Sequence, residues 1–121
     1  MILEVKGGII SPINNEWSSV SGNNIKRYIQ DPEKQANSAK YNLMTRFRRS
    51  WISPYVTIAV CFPDFITEDC SLPLSMPKEI ILDMTSFQKV EEEIINIFRF
   101  RAGKEGFIIK KLTDSEYNKV L

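Results

Sequence analysis

No apolar run in the 121 residues approaches the roughly 20 that a membrane-spanning helix needs. Residues 1–6 carry charges at Glu4 and Lys6, where a secretory signal would have a basic leader followed by an apolar segment. There are only two cysteines, Cys61 and Cys70. They lack metal-ligand spacing and are too few for a disulfide framework, so a reducing cytoplasm is the expected setting. Cys61 falls in an apolar stretch, where a reduced thiol behaves as a small hydrophobe. Internal repeats and low-complexity segments are also missing. What is there is 43% hydrophobic and 26% charged. That is the balance of a single globular domain over residues 1–121, with one core and little to spare.

A net charge of +1 conceals an asymmetry. Residues 1–60 hold eight lysines or arginines against four acids, and residues 61–121 hold eight against eleven. The first half is therefore the side suited to a polyanion.

Ile2, Leu3 and Val5 read as a strand, with Val5 pointing into the core, and Gly7-Gly8 ends it. Three short strands follow, around Ile9–Ile13, Trp17–Val20 and Ile25–Ile29. Asn14-Asn15 and Gly22-Asn23-Asn24 separate them, so a hairpin or meander is expected. Asp31-Pro32 opens a helix, the aspartate capping free amides and the proline sitting where its missing N–H costs nothing. Ala36, Ala39, Leu43, Met44 and Phe47 give that helix an apolar stripe to about Arg49, with Lys34, Lys40, Arg46, Arg48 and Arg49 on its other faces.

The near-continuous apolar run Tyr55–Phe62 has the pattern of a strand covered on both faces. A long loop over 63–78, with Pro63, Pro73 and Pro77, leads to a short strand at Ile80–Leu82. Thr85 and Gln88 form a capping box for a helix with Phe87, Val90, Ile94, Ile97 and Phe98 on one face, ended by Gly103. A strand at Phe107–Ile109 comes next. Thr113 and Glu116 make a second capping box, stapled by Leu112 and Tyr117. The chain opens inside a strand and stops in a helix at Leu121, so both ends read as cut from a larger protein.

Residues two apart in a strand share a face and lie about 6–7 Å from each other. Glu4 and Lys6 are thus a carboxylate and an ammonium side by side, the pair that phosphodiester cleavage calls for. The carboxylate helps to hold a divalent cation, and the cation on lysine steadies the attacking water or the charge building on phosphate. Gly7-Gly8 would let a nucleic-acid backbone approach closely, or bend the strand. At this charge density Glu-x-Lys is common by chance, and an exposed cross-strand pair needs no function.

Its surroundings narrow the choice. Glu4-Val5-Lys6-Gly7-Gly8, then Trp17, then Asp31-Pro32-x-x-Gln35-Ala36 opening a helix, then Cys61-Phe62-Pro63-Asp64 closing a strand: this order resembles the nuclease-related domain, NERD. That family is a branch of the PD-(D/E)XK, or restriction-endonuclease-like, superfamily. The resemblance covers residue 2 to about residue 100. It implies an α/β chain with a restriction-endonuclease-like three-layer α/β/α fold and a mixed central sheet, here lacking its first helix and strand. It implies an endonuclease-like domain dependent on Mg²⁺ or Mn²⁺ and acting on DNA. Glu4 would be the metal-binding acid, joined by the backbone carbonyl of Val5. Lys6 would be the catalytic lysine and Gln35 the glutamine near the scissile phosphate.

Gly7, Gly8, Lys34, Lys40 and Arg46 are the candidate nucleic-acid contacts. Trp17 reads as a packing residue. The superfamily's aspartate on the strand before Glu4 has no counterpart here, which leaves the motif incomplete, and Glu16 and Asp64 are the acids available as substitutes. Two other readings follow from the same features. One is a non-catalytic nucleic-acid- or protein-binding module of a larger protein, such as one carrying a helicase. The other is a homodimer formed through an exposed sheet edge.

Overall fold

Residues 1–69, 72–106 and 113–120 are described in the computed structural model. Their elements run β1 (Ile2–Val5), β2 (Ile9–Ile13), β3 (Glu16–Val20), β4 (Lys26–Ile29), α1 (Pro32–Arg49), β5 (Ile58–Phe62), β6 (Ile81–Asp83), α2 (Val90–Glu105) and α3 (Asp114–Val120). Mixed α/β character is therefore present. The strands, however, divide between two sheets among the described residues, where one mixed sheet was expected. β1-β5-β6 is parallel and β2-β3-β4 is antiparallel.

Gly8 makes that division. Its φ of 84° lies in the left-handed region that side chains avoid, and it turns the chain from the parallel sheet into the antiparallel one. A Cβ there would sit 2.8 Å from the Val20 carbonyl oxygen and closer still to Ser19 Oγ. The bend reading of Gly7-Gly8 is the one the fold uses. Asn14 and Asn15, with φ of 51° and 64°, close the β2–β3 hairpin as a left-handed two-residue turn, and Asn24 at φ 58° serves the next one.

β5 is the centre of the parallel sheet, and each of its residues is buried. One cluster joins Ala36 of α1 to Ile58, Ala59 and Cys61 of β5, Leu82 of β6 and Ile97 of α2. A second joins Val60 and Phe62 to Ile10 and Trp17 of the antiparallel sheet, with Phe65 and Met76 from the long loop. Trp17, 4% exposed, is a core residue as expected, and its ring area is what ties the small sheet to the large one.

Val5 departs from expectation. It is 53% exposed and Leu3 44%, so neither points into a core. Register pairs Leu3 with Ala59 and Val5 with Cys61, which puts their side chains on one sheet face. β1 is an edge strand of its sheet among the described residues, and at Leu3 and Val5 that face is open to solvent. Alternation in the sequence gives two faces but not which of them is packed.

Helix boundaries also shift. In α1, Ala39 is exposed while Lys40 is half-buried, so the covered stripe is Ala36, Leu43, Met44 and Phe47. Before α2, Asp83 rather than Thr85 is the cap. Its side chain accepts from Thr85 N, and Ser86 Oγ accepts from Asp83 N, opening a 3₁₀ segment over Met84–Lys89. Phe87 and Val90 are consequently exposed, and the packed positions are Ile97 and Ala102.

α2 runs through Gly103 and ends instead at Gly106, whose φ of 72° makes a left-handed C-cap. The Thr113–Glu116 box is present, with Thr113 N donating to Glu116 Oε2 at 2.8 Å. The expected strand at 107–109 and the staple from Leu112 lie outside the described residues. No described helix is long and apolar enough to cross a membrane.

Candidate functional site

Glu4 and Lys6 share a face, as the period of two requires. Lys6 continues the strand past Val5, its N–H donating to the Cys61 carbonyl at 2.9 Å. Its Nζ lies 3.0 Å from Glu4 Oε1, with side-chain exposures of 16% for Lys6 and 19% for Glu4. The ammonium also donates to Gln35 Oε1 at 2.7 Å.

Gln35 reaches that place because α1 begins where it does. Asp31 Oδ1 accepts from Glu33 N at 2.9 Å and from Lys34 N at 3.2 Å, which fixes the first turn. Pro32 fills the first helical position and is buried. Ala36 is fully buried, and a side chain this small lets the helix lie close against β1 and β5. Gln35, the residue before it, is thereby carried over Lys6. The structure thus gathers Glu4, Lys6 and Gln35, which the sequence separates by as much as 31 positions.

An ammonium has three N–H donors, and two of those on Lys6 have described partners. One is left to donate to an oxygen arriving from solvent. The carboxylate of Glu4 likewise keeps one oxygen beyond its contact with Lys6. A partly buried pair of this kind can hold an anionic oxygen at lysine and a hydrated group at glutamate.

Asp64 stands at the same end of the sheet, two residues beyond β5. Its Oδ2 accepts from Gly8 N at 2.6 Å and would lie 3.3 Å from a Cβ on Gly7. The Gly7 carbonyl accepts from Ser19 Oγ at 2.7 Å. Both glycines therefore hold the junction between the sheets through these bonds. Glu16 opens β3 and borders a separate depression with Asp31 and Lys34. Lys34 and Arg46 are exposed on α1, and Lys40 is half-buried.

Among the described residues, Glu4 and the Val5 carbonyl are the candidate ligands for a Mg²⁺ or Mn²⁺ ion. Such an ion takes about six oxygens. Among the described residues no group of three or more His, Cys, Asp or Glu is placed to hold a metal. Ile2 donates its N–H to the Thr57 carbonyl just before β5, and Lys6 to the Cys61 carbonyl within it. By alternation, the Val5 carbonyl then faces the open edge of β1 while the Glu4 side chain turns toward α1. The two proposed ligands diverge. Glu4 and Val5 by themselves do not fit the ion.

Asp83, at the end of β6, was not anticipated as a polar centre. It is 7% exposed and accepts from the N–H and Oγ1 of both Thr67 and Thr85, at 2.6 to 2.9 Å. Burial would raise its pKa, but these hydrogen bonds outweigh it and hold the carboxyl below its ordinary value. With its lone pairs engaged, Asp83 anchors the loop at Thr67 to the start of the 3₁₀ segment. Aspartate followed two residues on by threonine is the only local signal, and the bonds to Thr67 span 16 positions.

No family model matches the chain, and neither a curated protein nor a solved structure matches it.

Proposed function

We propose that this chain is a nuclease-related domain of the PD-(D/E)XK type that engages the phosphodiester backbone of DNA at Glu4, Lys6 and Gln35. The observation that carries the proposal is the hydrogen bond from Lys6 Nζ to Gln35 Oε1 beside the Lys6–Glu4 ion pair. Residues singled out from two separate motifs meet at one half-buried spot. Lys6 donates to a phosphate oxygen, and Gln35 sets the direction of the ammonium through its carbonyl oxygen. Glu4 pairs with the lysine and offers its remaining oxygen to water at the phosphate. Lys34, Lys40 and Arg46 on α1 extend positive charge for the adjoining backbone.

The test is cleavage of duplex DNA with Mg²⁺ or Mn²⁺ supplied, comparing the parent with Glu4→Ala and Lys6→Ala. Loss of cutting in both variants is the expected result. Variants that cut as well as the parent overturn the site.

A second reading is favoured by the shortage of metal ligands: the domain binds DNA, or a protein partner in a larger assembly, without hydrolysing it. DNA affinity that falls steeply with salt, in a chain that leaves DNA intact with either cation, would select it over the nuclease. Salt-insensitive or absent DNA binding would leave the protein-contact role.

A further inference from the structure

We infer that the outward face of α1, from Tyr41 to Trp51 just past its end, takes an unpaired nucleic-acid strand by stacking bases on these two rings. Such a site rests on the DNA-engaging reading above and extends it to the end of α1 far from Gln35. Trp51 is its anchor, with a φ of 57° and 92% exposure. The way α1 ends accounts for that backbone. Ile52 N–H donates to the Phe47 carbonyl and Trp51 N–H to the Arg48 carbonyl, both at 3.2 Å, which is the pairing of a Schellman turn. This turn puts its left-handed residue at position 51, where glycine is usual and a bulky side chain is strained. Ile52, 6% exposed, is the residue that packs inward. Trp51 thus combines a strained backbone with a ring left in water, and packing offsets neither cost. An indole held out in this way offers its π-face to a base.

The helix leading to Trp51 is suited to a polyanion. No acid occurs between Glu33 and Asp64, whereas Lys34, Lys40, Arg46, Arg48 and Arg49 all fall there. Lys34, Tyr41 and Arg48 lie seven apart with Ser38 and Thr45 between them, so these five residues line one exposed ridge of α1. Tyr41, 66% exposed, supplies the second ring. Among the described residues Arg46, Arg48 and Arg49 have no ion-pair partner, which leaves their guanidinium groups to phosphate. Tyr41 stands about 12 Å from the end of the helix, so a strand laid along the ridge meets one ring and then the other.

These features favour a strand over a lipid surface. A helix lying on a membrane turns its apolar stripe to the lipid. In α1 the stripe of Ala36, Leu43, Met44 and Phe47 is the covered one, and the residues beside Tyr41 on the outward face are Ser38, Asn42 and Thr45. A duplex keeps its base faces stacked inside, so two exposed rings select unpaired strands.

Trp51 is also the probe. The other tryptophan, Trp17, is 4% exposed, so quenching of tryptophan emission by an added oligonucleotide reports on Trp51. The full chain is titrated at one salt concentration with an oligothymidylate of about ten nucleotides, a duplex of equal length, and vesicles of phosphatidylserine and phosphatidylcholine. Saturable quenching by the oligothymidylate is expected, with weaker quenching by the duplex. In anisotropy with the labelled oligomer, Trp51→Gly is expected to raise the Kd roughly ten-fold, and Tyr41→Ala to shift it in the same direction. Trp51→Gly should unfold at a temperature no lower than the parent, since glycine accepts the left-handed backbone. Weaker binding with undiminished stability separates a binding ring from a structural one. Equal binding by parent and Trp51→Gly, a lower unfolding temperature for that variant, or equal quenching by the duplex overturns the site. So does a blue shift with vesicles where the oligomer leaves the emission unchanged. Duplex cleavage and its dependence on Glu4 and Lys6 are read separately, so each proposal fails on its own result.

Discussion

Lys6 Nζ donates to Gln35 Oε1 across 2.7 Å, joining the end of the first strand to the first turn of the first helix. The bond ties a charged strand residue to a neutral helix residue in a part-buried setting. Gln35→Leu leaves Lys6 with Glu4 as its described partner, at a cost of about 0.5–1.5 kcal/mol in stability. DNA affinity should fall alongside, whereas Gln35→Glu should restore stability yet repel phosphate. Urea denaturation and duplex binding on the same samples check both effects.

Asp31 controls the same contact from a distance. Replacing it by alanine frees the amides of Glu33 and Lys34 at the head of α1, a change of about 1 kcal/mol. If capping places Gln35, Asp31→Ala should also weaken DNA binding, although Asp31 is itself an acid and its loss makes the surface more positive. The opposing directions make the measurement informative.

Gly8→Ala should destabilise by about 1–3 kcal/mol, because its backbone is left-handed and a methyl group meets the Val20 carbonyl. Gly22→Ala meets nothing within 4 Å and serves as the neutral comparison. Denaturation midpoints of the two variants give the contrast.

Asp83 predicts a pH effect of definite sign. Its folded pKa lies below the unfolded value, so the folded state favours the ionised form. The stability this supplies is complete above an unfolded pKa of about 3.9 and is lost as pH falls through the lower folded value. Thermal unfolding of the parent should therefore weaken below about pH 4. In Asp83→Asn that part of the slope should vanish, with lower stability near neutrality.

Much of this arrangement was legible in the residues. Period two put Glu4 and Lys6 together, Asp31-Pro32 set the start of α1, and Asn14-Asn15 announced a tight hairpin. Local chemistry decides each of these. Val5 was misplaced because a pleat defines two faces without naming the covered one. Gly103 reads as a stop in the sequence, yet the helix passes through it and ends at Gly106, where the backbone turns left-handed. The bonds from Asp64 to Gly8 and from Ser19 to Gly7 span 56 and 12 positions. Contacts of that kind arise only after two sheets pack, and no short-range pattern encodes them.

The most direct measurement is the side-chain ammonium resonance of Lys6 in ¹⁵N-labelled protein titrated with a short DNA duplex, assigned through Lys6→Arg. A saturable shift of that signal, reduced in Gln35→Leu, is the predicted result. A Lys6 signal that stays fixed while the duplex binds elsewhere would contradict the phosphate-facing role.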